Sequence, residues 1–172
     1  MDTPSRRHPH VVNISEVDAY TVDKGSRFHA TGRRLGAAAG SRALGCSHLV
    51  VPPHTTAFPF HMHCATDEAL YIIAGSGTLR IGEARVPVRA GDFIAHPAGT
   101  EAHQLLNDSD LPLEYLAMST VRAADVVVYP DSNKIGAVGT KAGEGGGRQI
   151  IVRELVKRGG PPVDYYDGED IG

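Results

Sequence analysis

The chain is short of three things, and each shortage removes a class of function. It has two cysteines, Cys46 and Cys64. They form no CxxC pair and no disulfide framework, so nothing calls for an oxidising compartment. Charge of one sign is not in surplus: 17 Lys and Arg against 20 Asp and Glu leave −3 with His neutral. That balance offers no basic stripe for nucleic acid, and the only acidic concentration is near the C-terminus. Long apolar runs are missing too. No segment approaches the ~18 consecutive apolar residues of a membrane span. The opening MDTPSRRHPH carries charge with no apolar stretch behind it. We therefore expect no signal peptide, no membrane contact and a cytoplasmic location.

What the chain has in quantity is punctuation. Its 20 Gly and 11 Pro divide 172 residues into short segments, which favours strands joined by turns over a helical bundle. The length suits one domain with a real core. Residues 1–10 read as a loose arm. VVNISEV (11–17) and AYTV (19–22) read as short strands. Residues 24–45, rich in Gly, Ala and Arg, read as loop with one short helical piece. From Cys46 the pattern becomes regular. SHLVV stops at Pro52-Pro53, and AFPFHMH (57–63), EALYIIAG (68–75) and GTLRIG (77–82) follow. Two strands within 84–99 turn at Ala90-Gly91-Asp92, and AHQLLN (102–107), LPLEYLAMSTV (111–121) and DVVVYPD (125–131) complete the series. Short strands at this spacing predict an all-β sandwich or barrel. The Gly-rich stretch 134–149 lacks a phosphate-loop pattern and reads as a surface loop. Residues 149–156 read as a strand or short helix, and 161–172 as a polar, acidic end. The expected organisation is an N-terminal arm and loop extension (1–44), a β-barrel (45–130), and a C-terminal loop and tail on or near the barrel (131–172).

Nine histidines is a high count for this length, and their placement matters more. In a strand, residues two apart share a face, so His61 and His63 project together and Met62 points away. The link Cys64–Asp67 is turn-sized. Glu68 then opens the next strand; if the two strands pair, its carboxylate reaches between the imidazoles. His103 opens a strand just after the Pro97-x-Gly99 turn. Three imidazoles and a carboxylate suit a first-row transition metal. Each residue alone reads more simply as a surface or hydrogen-bonded side chain. Their order and their positions beside turns favour ligation. Glu68, Leu70 and Ile72 share one face, as do His103, Leu105 and Asn107, giving a mainly apolar pocket. Phe58 and Phe60 fall opposite the ligand register, and Tyr71 faces outward. Cys64 is expected to be buried and turned from the metal. His96 reads as a strand-end histidine able to orient a ligand, His54 as a residue near the pocket mouth, and Asn107 as a strand-end hydrogen bonder.

The stretch from His61 to Gly75 resembles the first cupin motif: His-x-His, a Glu after four residues, and a Gly after six more. Thr55 stands where that motif opens with Gly. Residues 91–107 resemble the second motif through Gly91, Pro97, Gly99, His103 and Asn107, with one extra residue between Gly99 and His103. The resemblance implies a cupin fold, a double-stranded β-helix or jelly-roll barrel. It also implies that His61, His63, Glu68 and His103 hold one divalent transition metal, which in that family is manganese, iron, nickel, zinc or cobalt. YPDSNKIG (129–136) and the Tyr-Tyr-Asp-Gly-Glu end resemble small bacterial cupins of the sugar-phosphate-isomerase-like group. The expected function is a metal-dependent enzyme on a small carbonyl or sugar-like substrate. The alternatives are an iron-dependent dioxygenase and a non-catalytic small-ligand-binding cupin. A metal-free epimerase would use a His–Asp pair, and the intact four-ligand set argues against it. No catalytic base is assigned. A homodimer through the N-terminal strand edges is expected.

Overall fold

A computed structural model of the chain describes residues 8–143 and 148–170. Most of the expected N-terminal arm, the tip of the Gly-rich stretch and the last two residues lie outside them. The elements are strands almost throughout. Ala19–Lys24 (β1) and Phe28–Arg33 (β2) form a hairpin, followed by a four-residue helix at Leu35–Ala38. Leu44–Val51 (β3), Thr55–Thr56 (β4), Met62–His63 (β5), Glu68–Ala74 (β6), Ser76–Ile81 (β7) and Ala84–Arg89 (β8) come next. Phe93–His96 (β9), His103–Asn107 (β10), Leu113–Thr120 (β11) and Ala124–Tyr129 (β12) follow. Lys134–Ala142 (β13) and Arg148–Lys157 (β14) end the series.

One sheet runs β8-β7-β10-β4-β2-β3-β11-β6-β9, with β1 added on β2, and curls into a half-barrel. The second sheet runs β14-β13-β12-β5. A single antiparallel bridge between His61 and His103 joins the approach to β5 to the larger sheet. The inner face of the larger sheet carries the core. Leu49 and Val51 of β3, Ile72 of β6, and Leu113 and Tyr115 of β11 are almost wholly buried. Complete burial of one such aliphatic side chain is worth roughly 1.5–3 kcal/mol. Tyr71 of β6 and Phe93 of β9, which are register partners, lie exposed on the other face. This is the period-two alternation expected of the sequence.

Several local readings change. VVNISEV is not a strand: Asn13 caps a 3-10 turn at Ile14–Glu16, its side chain accepting from Ser15 N–H while Glu16 reaches back to its own N–H. This reciprocal cap satisfies locally the backbone groups that a strand would have paired. The loop expected over 24–45 contains all of β2. The loop expected from 134 is strand through Ala142, because β12 and β14 pair with its two sides and supply partners for its Gly-rich backbone. Of AFPFHMH only Met62 and His63 are strand, since Pro59 has no N–H to donate to a ladder. Among the described residues no helix is long and apolar enough to cross a membrane.

Candidate metal centre

The four candidate ligands come from three places in the chain. His61 and His63 flank Met62 at β5, Glu68 opens β6, and His103 opens β10. Strand pairing brings them together, though by a different route from the one the spacing suggests. β5 does not pair with β6; it pairs with β12, with His63 opposite Val127. β6 lies in the larger sheet between β11 and β9. The link Cys64–Asp67 is therefore a crossing between sheets, and Glu68 meets the imidazoles from the facing wall. The crossing is tied at several points. Cys64 N–H donates to Val126 O (2.9 Å), Ala65 N–H to Asp125 Oδ1 (2.9 Å), and Asp67 N–H to Thr120 Oγ1 (3.0 Å). Asp67 Oδ1 in turn accepts from Ala98 N–H (2.9 Å), which fixes the turn before His103.

His61 Nε2 and His63 Nε2 each lie 3.6 Å from a different oxygen of Glu68. Donor atoms of His61, His63 and Glu68 all fall within 4.8 Å of one another, a group that could hold a metal ion. His103 is not in that mutually close group. It touches it through Glu68, with Nε2 3.1 Å from Oε2.

The family description Cupin domain matches residues 47–119. That segment spans β3 to β11 and contains all four candidate ligands. Over these residues the chain is similar to a cupin domain. Solved structures share the fold over more of the chain. One is a sugar phosphate isomerase of the cupin superfamily from Silicibacter pomeroyi, 20% identical, covering 90% of this chain and 97% of that one at a TM-score of 0.73. An Acidithiobacillus ferrooxidans protein with sugar phosphate isomerase in its name is 24% identical and covers 83% and 92% at 0.69. The polyketide cyclase RemF of Streptomyces resistomycificus is 21% identical and covers 65% and 79% at 0.57. At these identities the likeness is one of fold. No curated protein sequence matches the chain.

The hydrogen bonds of the candidate site assign its tautomers. His61 Nδ1 lies 2.7 Å from Pro59 O, a carbonyl that can only accept, so Nδ1 carries the proton. His63 Nδ1 lies 2.6 Å from Asp125 Oδ2, and the same holds. Each ring then faces Glu68 with Nε2, which is a lone pair in the neutral ring and an N–H in the protonated one. His103 differs: among the described residues its buried Nδ1 has no partner, and in the metal-free protein its Nε2 meets Glu68 Oε2 as an N–H donor. Burial alone would raise the Glu68 carboxyl. Hydrogen bonds from His103 and His61, with the charge of His63, outweigh it and hold the group far below the usual carboxylate range. Burial alone would lower His61, but its bonds to Glu68 and to the Pro59 carbonyl raise it. The same contest leaves Asp125 low: burial raises it, while hydrogen bonds from His63, Thr66 and Ala65 hold it down.

Asp125 was not singled out in the sequence. The signal that could have found it is its place at the head of DVVVYPD, a carboxylate entering a strand, but only the β5–β12 pairing shows what it faces. Tyr129, at the far end of β12, was also missed. Its ring stacks on His61 at 6.0 Å between centroids, and burial raises its phenol. His96 ends β9 and stacks flat on His103 at 3.5 Å, and among the described residues neither of its ring nitrogens has a hydrogen-bond partner, so it orients no ligand by hydrogen bonding. Burial, followed by the neighbouring His103, pushes it down to about 4. Cys64 is exposed rather than buried, because the sheet crossing carries it to the surface. His54 pairs with Asp110 at the surface. Asn107 is the expected strand-end hydrogen bonder, donating to Val51 O and Leu111 O. Phe58, expected to face away, lines the site cavity, since Pro59 breaks the alternation after it.

Proposed function

We propose that this cupin holds one divalent transition metal on His61, His63 and Glu68, with His103 as fourth donor, and acts on a small carbonyl ligand in the manner of an isomerase. One observation carries the reading. Two imidazoles donate Nδ1–H to Pro59 O and Asp125, which leaves both Nε2 atoms, 3.6 Å from the Glu68 oxygens, to take a proton or a metal. Lone pairs and negative charge gathered in this way call for a cation, and a carboxylate behind a ligating histidine is the usual support of a metal site. A bound metal of this kind supplies Lewis-acid polarisation of a carbonyl oxygen. The chain supplies the rest. Asp125 holds the His63 ring in one tautomer. Apolar side chains of Phe58, Leu70 and Leu105 form part of the cavity wall. The Tyr129 phenol, raised by burial, stays protonated at neutral pH as a hydrogen-bond donor at the cavity wall.

The His63–Asp125 pair also supports a metal-free reading, in which His63 takes a proton from the ligand through Nε2 and Asp125 stabilises the resulting imidazolium. Elemental analysis of the untagged protein, purified without chelator, separates the two. Near-stoichiometric metal, lost in His63→Ala, supports the metal reading. Full metal content in His63→Ala refutes the ligand set. A chain that stays empty after reconstitution favours the His–Asp pair.

A further inference from the structure

The cavity at the candidate centre has a composition that selects among ligands. Its volume is about 260 Å³, slightly below the usual range for small-molecule sites, so it suits a single ring or a short chain. His61, His63, Glu68 and His103 stand together in the lining. The remaining walls are Phe58, Leu70, Leu105, Tyr115 and Tyr129, aromatic or aliphatic on several sides. Leu70, Leu105 and Tyr115 are buried members of the barrel core, so these walls are fixed by packing. Gln104 and the phenols of Tyr115 and Tyr129 are the other polar groups in the lining, and the Gln104 amide N–H donates to Phe58 O at 2.8 Å.

Four cations stand around this cavity, and none of them lines it. Lys134 lies 5.3 Å from the Tyr129 ring, and Arg153 is close enough to act on the same phenol. Arg80, on the strand beside β10, makes a two-pronged contact with Asp131 (2.7 and 2.9 Å) and lies over the Phe60 ring at 3.6 Å. Arg122, in the adjoining groove, donates to Ala65 O at 3.1 Å and sits 3.6 Å from Asp67. Neither contributes to the cavity lining. A phosphate carried by a ligand away from the histidine–glutamate end would lose its water among apolar walls, which is unfavourable for a charge. An apolar body gains from the same burial.

We infer that the cupin takes a compact ligand with an apolar, preferably planar body and an oxygen pair for the histidine–glutamate end, rather than a phosphorylated sugar. This rests on the metal reading above for its oxygen pair and on the cavity walls for its apolar body. The test is calorimetric titration of the full chain, after zinc affinity has been measured alone. On zinc-loaded protein we expect catechol to bind at least tenfold more tightly than ribose 5-phosphate or inorganic phosphate. Phe58→Ser, a change at a partly exposed wall residue, is expected to weaken catechol about fivefold and leave zinc affinity within twofold. Equal or tighter binding of either phosphate compound overturns the inference, as does catechol binding unchanged in Phe58→Ser. If the wild-type chain binds no zinc, the metal reading falls and takes the oxygen pair with it. Phenol against ribose 5-phosphate on the metal-free chain then decides the apolar half, with the same preference supporting it and its reversal refuting it.

Discussion

Replacing Asp125 by Asn tests the site at its support rather than at a ligand. The carboxylate is almost buried and accepts on both oxygens: Oδ2 from His63 Nδ1 at 2.6 Å, Oδ1 from Ala65 N–H at 2.9 Å. An amide of the same shape has one accepting oxygen. If it faces His63, its NH2 meets the Ala65 N–H, donor against donor. If it faces Ala65, its NH2 meets His63 Nδ1 and favours the opposite tautomer, which puts a proton on the Nε2 meant for the metal. Loss of such a partner costs about 10–100-fold in metal affinity, or about 1.4–2.8 kcal/mol. The mispaired buried group adds roughly 1–3 kcal/mol of lost stability in the metal-free protein. Zinc affinity is read by competition with a chromophoric chelator, and stability by denaturant unfolding of the metal-free chain. A variant that loses stability yet binds zinc within twofold of the parent would refute the claim that Asp125 acts through His63.

Other consequences are as direct. Gly75 joins β6 to β7 at φ +82, and a Cβ there would collide with the Pro112 carbonyl. Gly75→Ala should therefore cost at least about 2 kcal/mol in denaturant unfolding, and a smaller loss would mean that the turn relaxes. Burial raises the Cys46 thiol, whereas Cys64 is exposed. A disulfide reagent at pH 8 should react with Cys64 first, and Cys64→Ser should remove the fast phase; a fast phase that survives refutes the assignment. Strand β1 pairs with β2 and, among the described residues, with no other strand. We expect that edge to pair with a second copy, and a monomeric mass in light scattering would refute it.

Strands between Cys46 and Tyr129 were legible where they alternate, as β6 does, and where a turn carries Gly, Pro or Asn, as at Gly82 and Gly91. EALYIIAG is a clear case: its odd and even positions separate into Leu70 and Ile72 inside and Tyr71 outside. The candidate ligands were legible by spacing, but their meeting point was not. The four residues between His63 and Glu68 fit a hairpin as well as a crossing between sheets, and local sequence cannot choose between them. Asp125 was invisible for a related reason. Its partner lies 62 residues away, and only long-range pairing of the two-residue β5 brings them together. The Gly-rich stretch was misread because composition reports what a backbone can do alone, while β12 and β14 decide what it does in company.

The boundary of the family match has a practical meaning that the fold brings out. The match ends at residue 119, before Asp125 and Tyr129. A fragment trimmed to that boundary would keep all four candidate ligands and lose the strand that holds β5 in place. Such a fragment would have a complete list of donors and no device for aiming two of them. Grafting this centre onto another barrel by copying its histidines and glutamate should fail for the same reason. The transplantable unit is the ligand turn together with β12, and an engineer who wants the site must move both.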